Sequence, residues 1–150
     1  PRTETRPAQR SVEIEASGKS EAQLLRHLND ALQASEEALH LLPPTAVDDL
    51  AVTRSQLGII YRLAGDLDRA LPHFREAVRY LEEAGDFYNA GGTRYNVAGA
   101  LAEAGRFKDA REYAYAALRD FESFGDGARD MLQKTYELIA LIEKQLNSSR

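Results

Sequence analysis

Residues 18–20 come closest in this chain to a nucleotide-binding motif. They read Gly-Lys-Ser, the order that ends a phosphate-binding loop. Such a loop also needs a glycine upstream and a buried strand before it, so that backbone N–H groups converge on the phosphates. Glu13 occupies the place of that glycine, and no buried strand precedes it. We therefore predict that these residues bind no nucleotide.

The remaining candidates for chemistry are histidines and neighbouring carboxylates. A metal site needs paired His or Cys ligands at short spacing, but the chain has no cysteine and its 3 histidines are far apart. Adjacent residues of a helix point about 100° apart, so adjacent carboxylates do not share one reacting group. No serine lies in a G-x-S-x-G context. We predict no catalytic residue, metal or cofactor; the side chains considered are His27, His40, His73, Glu36, Glu37, Asp48, Asp49, Glu82 and Glu83.

Charge and hydropathy narrow the classes of partner. The 150 residues have a net charge of −5, whereas a nucleic-acid interface is normally a clustered basic surface. No apolar run approaches the roughly 18 residues that cross a bilayer. We predict a cytoplasmic protein that binds neither nucleic acid nor a membrane.

Regularly spaced glycines predict the elements that carry these side chains. Gly65, Gly85, Gly105 and Gly125 recur at every twentieth position, and an aspartate follows three of them. A glycine in the left-handed conformation ends a helix, and the next Asp accepts hydrogen bonds from the N–H groups that begin another. The sequence also resembles itself at twice that spacing, as in Arg54 with Arg94. The repeating unit is therefore a pair of antiparallel helices.

These signals predict one all-α domain over residues 20–146 with about six helices. Residues 1–19 have no apolar periodicity and are expected to be a disordered or extended tail, and residues 147–150 a second tail. Ser20 is a candidate N-cap. Two prolines at 43 and 44 end the first helix. The predicted helices span about 21–42, 46–64, 67–84, 87–104, 107–124 and 127–146.

Six residues of the first complete pair reproduce a known repeat signature. They are a Leu-Gly pair and a Tyr in the first helix, then Ala, Phe and Ala in the second, at Leu57, Gly58, Tyr61, Ala70, Phe74 and Ala77. The sequence therefore resembles the tetratricopeptide repeat family, in a 40-residue variety similar to that of kinesin light chains and bacterial signalling proteins. The resemblance implies a superhelix of antiparallel helix pairs in which small residues allow close helix contact. A bulky side chain at Gly58 is expected to push the paired helices apart.

The resemblance also implies where a partner binds. In this family the first helix of each pair lines a concave face, and ligand contacts come from its fifth, sixth, ninth and twelfth positions. Asn96 and Gln56 are expected to hold a peptide backbone, Tyr95 and Tyr136 to supply aromatic contact, and Arg62 to bind an acidic group. Ser55 and Ile59 complete the predicted set, and Thr135, Ile139 and Ile142 take the same positions in the last helix.

The sequence thus predicts a non-enzymatic scaffold that binds a protein or peptide, within a larger bacterial signalling or regulatory protein. One alternative is self-association through the terminal helices, as a homodimer, because the last helix is apolar on more than one side. A weaker alternative is a helical enzyme, which would require a buried cluster of ionisable residues in a cleft.

Overall fold

Six α-helices make up the part of the chain that the computed structural model describes, which is residues 7–148, with side chains described at residue 18 and from residue 20 to 148. They are α1 (Pro7–Leu41), α2 (Val47–Leu63), α3 (Leu67–Glu83), α4 (Phe87–Glu103), α5 (Phe107–Phe124) and α6 (Arg129–Ser148), with a 3-10 turn at Asp126–Ala128. Within the described residues there is no strand. The all-α prediction is confirmed, and the bounds of α2 to α5 lie within one residue of those predicted.

The expected N-terminal tail is wrong where the structure describes it. Residues 7–19 belong to α1, which continues to Leu41, so Ser20 lies inside a helix and is not an N-cap. Residues 1–6, and residues 149 and 150 of the second expected tail, lie outside the described residues, while Asn147 and Ser148 end α6. The prediction failed because this segment is rich in helix-forming Glu, Ala, Gln and Arg but lacks the apolar stripe on which the prediction depended.

Three tight turns of one kind join the central helices. Gly65, Gly85 and Gly105 have positive φ angles of 81°, 73° and 75°. In the first turn the N–H of Asp66 donates to the carbonyl of Tyr61 at 2.9 Å, and the N–H of Gly65 donates to Arg62 at 3.0 Å. The other two turns repeat this pair of bonds, which satisfies carbonyls that the helix end would otherwise leave unpaired. Each turn therefore reverses the chain in the same way.

Aspartate caps begin two of the helices. The carboxylate of Asp66 accepts a hydrogen bond from the N–H of Arg69, and that of Asp86 from the N–H of Asn89. Arg106 takes the corresponding place before α5 and makes no side-chain cap bond. Its guanidinium instead reaches across to the carboxylate of Asp68, at 2.7 Å, and so links α5 to α3.

Small residues let the helices of a pair approach closely. A Cβ built on Gly58 would lie 2.7 Å from the ring of Phe74, and one on Gly91 would lie 2.9 Å from the ring of Phe121. Both rings are buried. The close approach expected at Gly58 is therefore present, with the Phe74 ring filling the space that a side chain would take.

The buried apolar side chains form a large cluster shared by α3, α4, α5 and α6 and a smaller one between α5 and the 3-10 turn. The largest fully buried side chains include Phe121, Leu57, Leu101 and Ile142. Among the described side chains of α1, Leu28, Leu32 and Leu39 are half-buried, whereas Leu24 and Leu25 are each 56% exposed.

Candidate functional site

A groove of about 600 Å³ lies between the first helices of the two central pairs, α2 and α4. A smaller cavity of about 240 Å³ continues it toward the C-terminal end of α2. The two share Ser55, Ile59, Thr93 and Asn96. We call both together the α2–α4 groove. Its other lining residues are Asp48, Ala51, Val52, Gln56, Leu81, Asp86, Asn89 and Gly92 in the larger part, and Arg62 and Phe74 in the smaller.

Five of the seven predicted site residues line this groove. Ser55, Gln56, Ile59 and Asn96 line its larger part, and Arg62 lines the smaller part. They meet because positions 55, 59 and 62 of α2 follow one helix face, and α4 presents its corresponding face alongside. In the described structure no side chain hydrogen-bonds to the amides of Gln56 or Asn96. Both amides are exposed, so their donors and acceptors are free to meet a ligand.

The two tyrosines of the predicted set lie elsewhere. Tyr95 is half-buried and packs against the cluster of Ala117, Phe121 and Ala128, on the α5 side of α4. Tyr136 is 52% exposed on α6 and lines none of the described cavities that border α2 or α4. Neither tyrosine therefore lines the α2–α4 groove.

The last helix has a different register from the one predicted. Thr135, Ile139 and Ile142 were expected on the concave face, but all three are buried. The 3-10 turn after Gly125 delays the start of α6 to Arg129. The burial pattern of Val97, Ala98 and Leu101 consequently recurs at Leu138, Ile139 and Ile142, one position later than an exact repeat would place it.

Several groove residues were absent from the sequence prediction. Val52 and Asp48 precede Ser55 and Gln56 by one and two helical turns on the same face, so extending the helical period backwards would have found them. Leu81 and Asp86 come from the end of α3 and the turn after it. The antiparallel pairing of α2 with α3 places Leu81 beside α2, and the packing of the second pair on the first places Asp86 there. Periodicity within one helix carries neither signal.

The end of the groove near the start of α2 is acidic. A neighbouring cavity of about 500 Å³ is lined by Asp48, Asp49 and Glu83, together with residues 45–47 and Ala84. Asp48 and Asp86 also line the groove itself. No Lys, Arg or His lines either of these two cavities. At the opposite end, Arg62 makes no ion pair with any described residue.

A separate cavity of about 390 Å³ between α3 and α5 is lined by Arg75, Val78, Arg94, Glu112, Tyr113 and Ala116. Arg94 makes structural ion pairs there. Its Nη1 donates to Asp120 Oδ2 at 2.6 Å and also to Glu82, so one guanidinium links α4 to α3 and α5. Burial raises the pKa of the Asp120 carboxyl, and the bond from Arg94 only partly offsets it. Because Asp120 and Glu82 both bind the guanidinium of Arg94, that side chain is not free to bind a ligand in this cavity.

The first pair replaces this arrangement with a histidine. Arg54 takes the place in this pair that Arg94 has in the next, and its Nη1 lies 3.1 Å from Nδ1 of His73. The ring of His73 stacks on Tyr61 with centroids 5.5 Å apart. Burial lowers the pKa of His73, the positive charge of Arg54 lowers it further, and Glu36 partly opposes both. A neutral ring that accepts from Arg54 therefore suits this site.

The other residues considered for chemistry are not brought together. Residues 18–20 lie within α1 and form no loop. His27 and His40 are exposed on the same helix. Within residues that the structure describes, no group of three or more His, Asp or Glu side chains is arranged to hold a metal ion. Of the described helices, none is both long and apolar enough to cross a membrane.

Comparison with known proteins gives one match. A family model described as a tetratricopeptide repeat matches residues 49–123, which is half of the chain and covers α2 to α5 almost completely. No curated protein and no solved structure matches the chain.

Proposed function

Because the chain belongs to the tetratricopeptide repeat family, whose non-catalytic repeats mediate protein–protein interaction, we propose that it binds a segment of a partner protein in the α2–α4 groove. The observation that carries this proposal is the meeting of Ser55, Gln56, Ile59, Arg62 and Asn96 in one groove. A peptide backbone offers alternating N–H and C=O groups, and two unoccupied amides in an elongated groove suit it.

The setting of this activity is also a proposal. We propose that the chain acts as a non-enzymatic scaffold in the cytoplasm, within a larger bacterial signalling or regulatory protein. The resemblance of its 40-residue Gly-Asp repeat to those of bacterial signalling proteins supports this setting.

The test compares two matched double variants. Gln56→Ala/Asn96→Ala removes both groove amides, and Gln33→Ala/Asn147→Ala removes two exposed amides away from the groove. Purified wild type and both variants, shown to be equally helical by circular dichroism, are used to capture partners from a bacterial lysate, and affinity for each captured protein is then measured. We expect binding to fall about fivefold or more for the groove variant only, since lost hydrogen bonds to two amides cost about 1–3 kcal/mol together. A partner held equally by all three proteins would contradict the groove as the site.

Self-association is a second candidate, and exposed apolar side chains on the two outer helices favour it. Leu24 and Leu25 on α1 and Leu141 on α6 are each more than half exposed, and a second copy of the chain could cover such apolar surface. Sedimentation velocity over a hundredfold range of concentration tests this. A Leu141→Lys variant should lower any concentration-dependent increase in mass if α6 forms the contact, and a constant monomer mass would exclude this candidate.

A further inference from the structure

The α2–α4 groove has opposite charges at its two ends. Asp48, Asp49, Glu83 and Asp86 lie at one end, and Arg62 lies at the other. Asp48 and Arg62 are fourteen positions apart on α2, which is about 21 Å at 1.5 Å per residue. An extended peptide of roughly six or seven residues covers that distance at about 3.3 Å per residue.

The acidic end keeps about half of its negative charge. Glu83 is paired with Arg79 at 2.8 Å, and Asp86 is bonded to the N–H and amide of Asn89. Within the described structure, neither Asp48 nor Asp49 has a cationic partner. Of four negative charges, Arg79 offsets one, and the N-termini of α2 and α4 offset about half a charge each. Roughly two negative charges therefore remain near the end of the groove.

Between the ends the lining is mixed. Val52 and Ile59 from α2 and Leu81 from α3 give apolar contact, while Gln56 and Asn96 give amides. Val52 is 56% exposed and Ile59 is 44% exposed, so a bound side chain would remove apolar surface from water. Along α2 the groove thus presents a carboxylate first, then apolar side chains, and finally the guanidinium of Arg62.

We infer, on the basis of the proposed function, that the occupant of the groove is an extended segment with Lys or Arg at one end. The basic side chains lie over Asp48 and Asp49, an apolar side chain contacts Val52 and Ile59, and a carboxylate meets Arg62. The occupant is a protein segment, because a nucleic-acid backbone would bring phosphates against the four carboxylates. An acidic segment is disfavoured there for the same reason.

Peptide display tests this with the whole chain. Random twelve-residue peptides on phage are selected on wild type and counter-selected on the Gln56→Ala/Asn96→Ala variant, so that groove-dependent sequences remain. We expect these sequences to carry Lys or Arg at one end, with an apolar residue three or four positions away. Groove-dependent sequences without basic enrichment would overturn this inference and leave the proposed function standing. If no sequence depends on the two amides, both the proposed function and the inference are wrong.

A charge variant then tests whether the carboxylates at the start of α2 recognise the basic end of the peptide. Asp48→Asn/Asp49→Asn removes the two unpaired acids at the acidic end of the groove and its neighbouring cavity, and Glu103→Gln/Glu122→Gln removes two exposed acids away from both. We expect the affinity of a selected peptide, measured by fluorescence anisotropy in low salt, to fall roughly threefold to tenfold for the groove pair only. The difference should shrink in high salt, where charges are screened over a few ångströms. Equal losses for both pairs would show that only the overall charge matters and would overturn the inference.

Discussion

The contact between Gly58 and Phe74 allows a sharp test of how the first helix pair is packed. A Gly58→Ala substitution adds one methyl group, and its carbon would lie 2.7 Å from Cε1 of Phe74. That distance is about 1 Å shorter than an ordinary carbon–carbon contact. Phe74 is 5% exposed, so its ring has little room to move away.

Two opposed terms set the magnitude. Alanine is favoured over glycine inside a helix by about 1 kcal/mol, whereas overpacking a well-filled core costs about 1–3 kcal/mol. The free energy of unfolding should therefore fall by about 0–2 kcal/mol. Gly99→Ala is the matched control, because a Cβ on Gly99 would meet nothing within 4 Å. That substitution brings the higher helix propensity of alanine without a steric clash, so it should raise the free energy of unfolding by about 0.5–1 kcal/mol.

The assay is urea unfolding of both variants and wild type, followed by circular dichroism. The expected result is a difference of about 1–3 kcal/mol between the two Gly→Ala substitutions, with Gly58→Ala the less stable. In a Phe74→Leu background that difference should shrink by about 1 kcal/mol or more, since a flexible side chain replaces the ring. Two substitutions with the same stabilising effect would refute the close approach of α2 and α3 at Gly58.

Three further predictions concern the caps and the ion pairs. Asp86→Ala should lower the free energy of unfolding by about 1 kcal/mol, because the N–H groups that begin α4 lose their acceptor; no change in the urea midpoint would contradict the cap. Arg94→Met should cost about 2–4 kcal/mol at pH 7 by leaving the buried Asp120 without its cation. The cost should be smaller at pH 5, since the pKa of Asp120 is already raised and its protonation removes the unpaired charge; equal costs at both pH values would contradict this account. Because the folded-state pKa of His73 is lowered, the unfolded chain binds more protons below about pH 6.5, so acidification through that range should destabilise wild type more than a His73→Gln variant. An NMR titration that puts the pKa of His73 above 6.5 would refute this.

Much of the central fold was predictable because each signal in the sequence is local. A glycine with positive φ followed by Asp or Arg marks each of the first three turns, and their even spacing gives α2 to α5. The final turn was not predictable in this way. Gly125 has a φ of 100° and is followed by a 3-10 turn, and the sequence Gly-Asp at this place looks like that of the earlier turns although the backbone takes another path.

The sequence predicted the groove residues on α2 better than those on the other elements. Helical period and the family resemblance placed Ser55, Gln56, Ile59 and Arg62 on one face, and these four line the groove. Tyr95 was misplaced because it follows the same numbering but packs toward α5. At the acidic end, Glu83 comes from α3 and Asp86 from the turn before α4. The pairing of α2 with α3 and the stacking of the next pair are both needed to bring them beside Asp48.

The uniform turns at Gly65, Gly85 and Gly105 also bear on how such a chain changes in length. A copy of residues 66–105, which hold α3 and α4, would begin and end at turns of the same geometry, so both new junctions would already have their hydrogen bonds. An in-frame duplication of this kind extends the stack without altering any existing helix contact except at the new joint. The stack would then contain one more helix of the kind that begins each pair, and a second groove like that between α2 and α4. A partner with a longer recognition segment is thus reachable through one genetic event, whereas a copy of a single helix would exchange the two kinds of helix and place polar faces in the core.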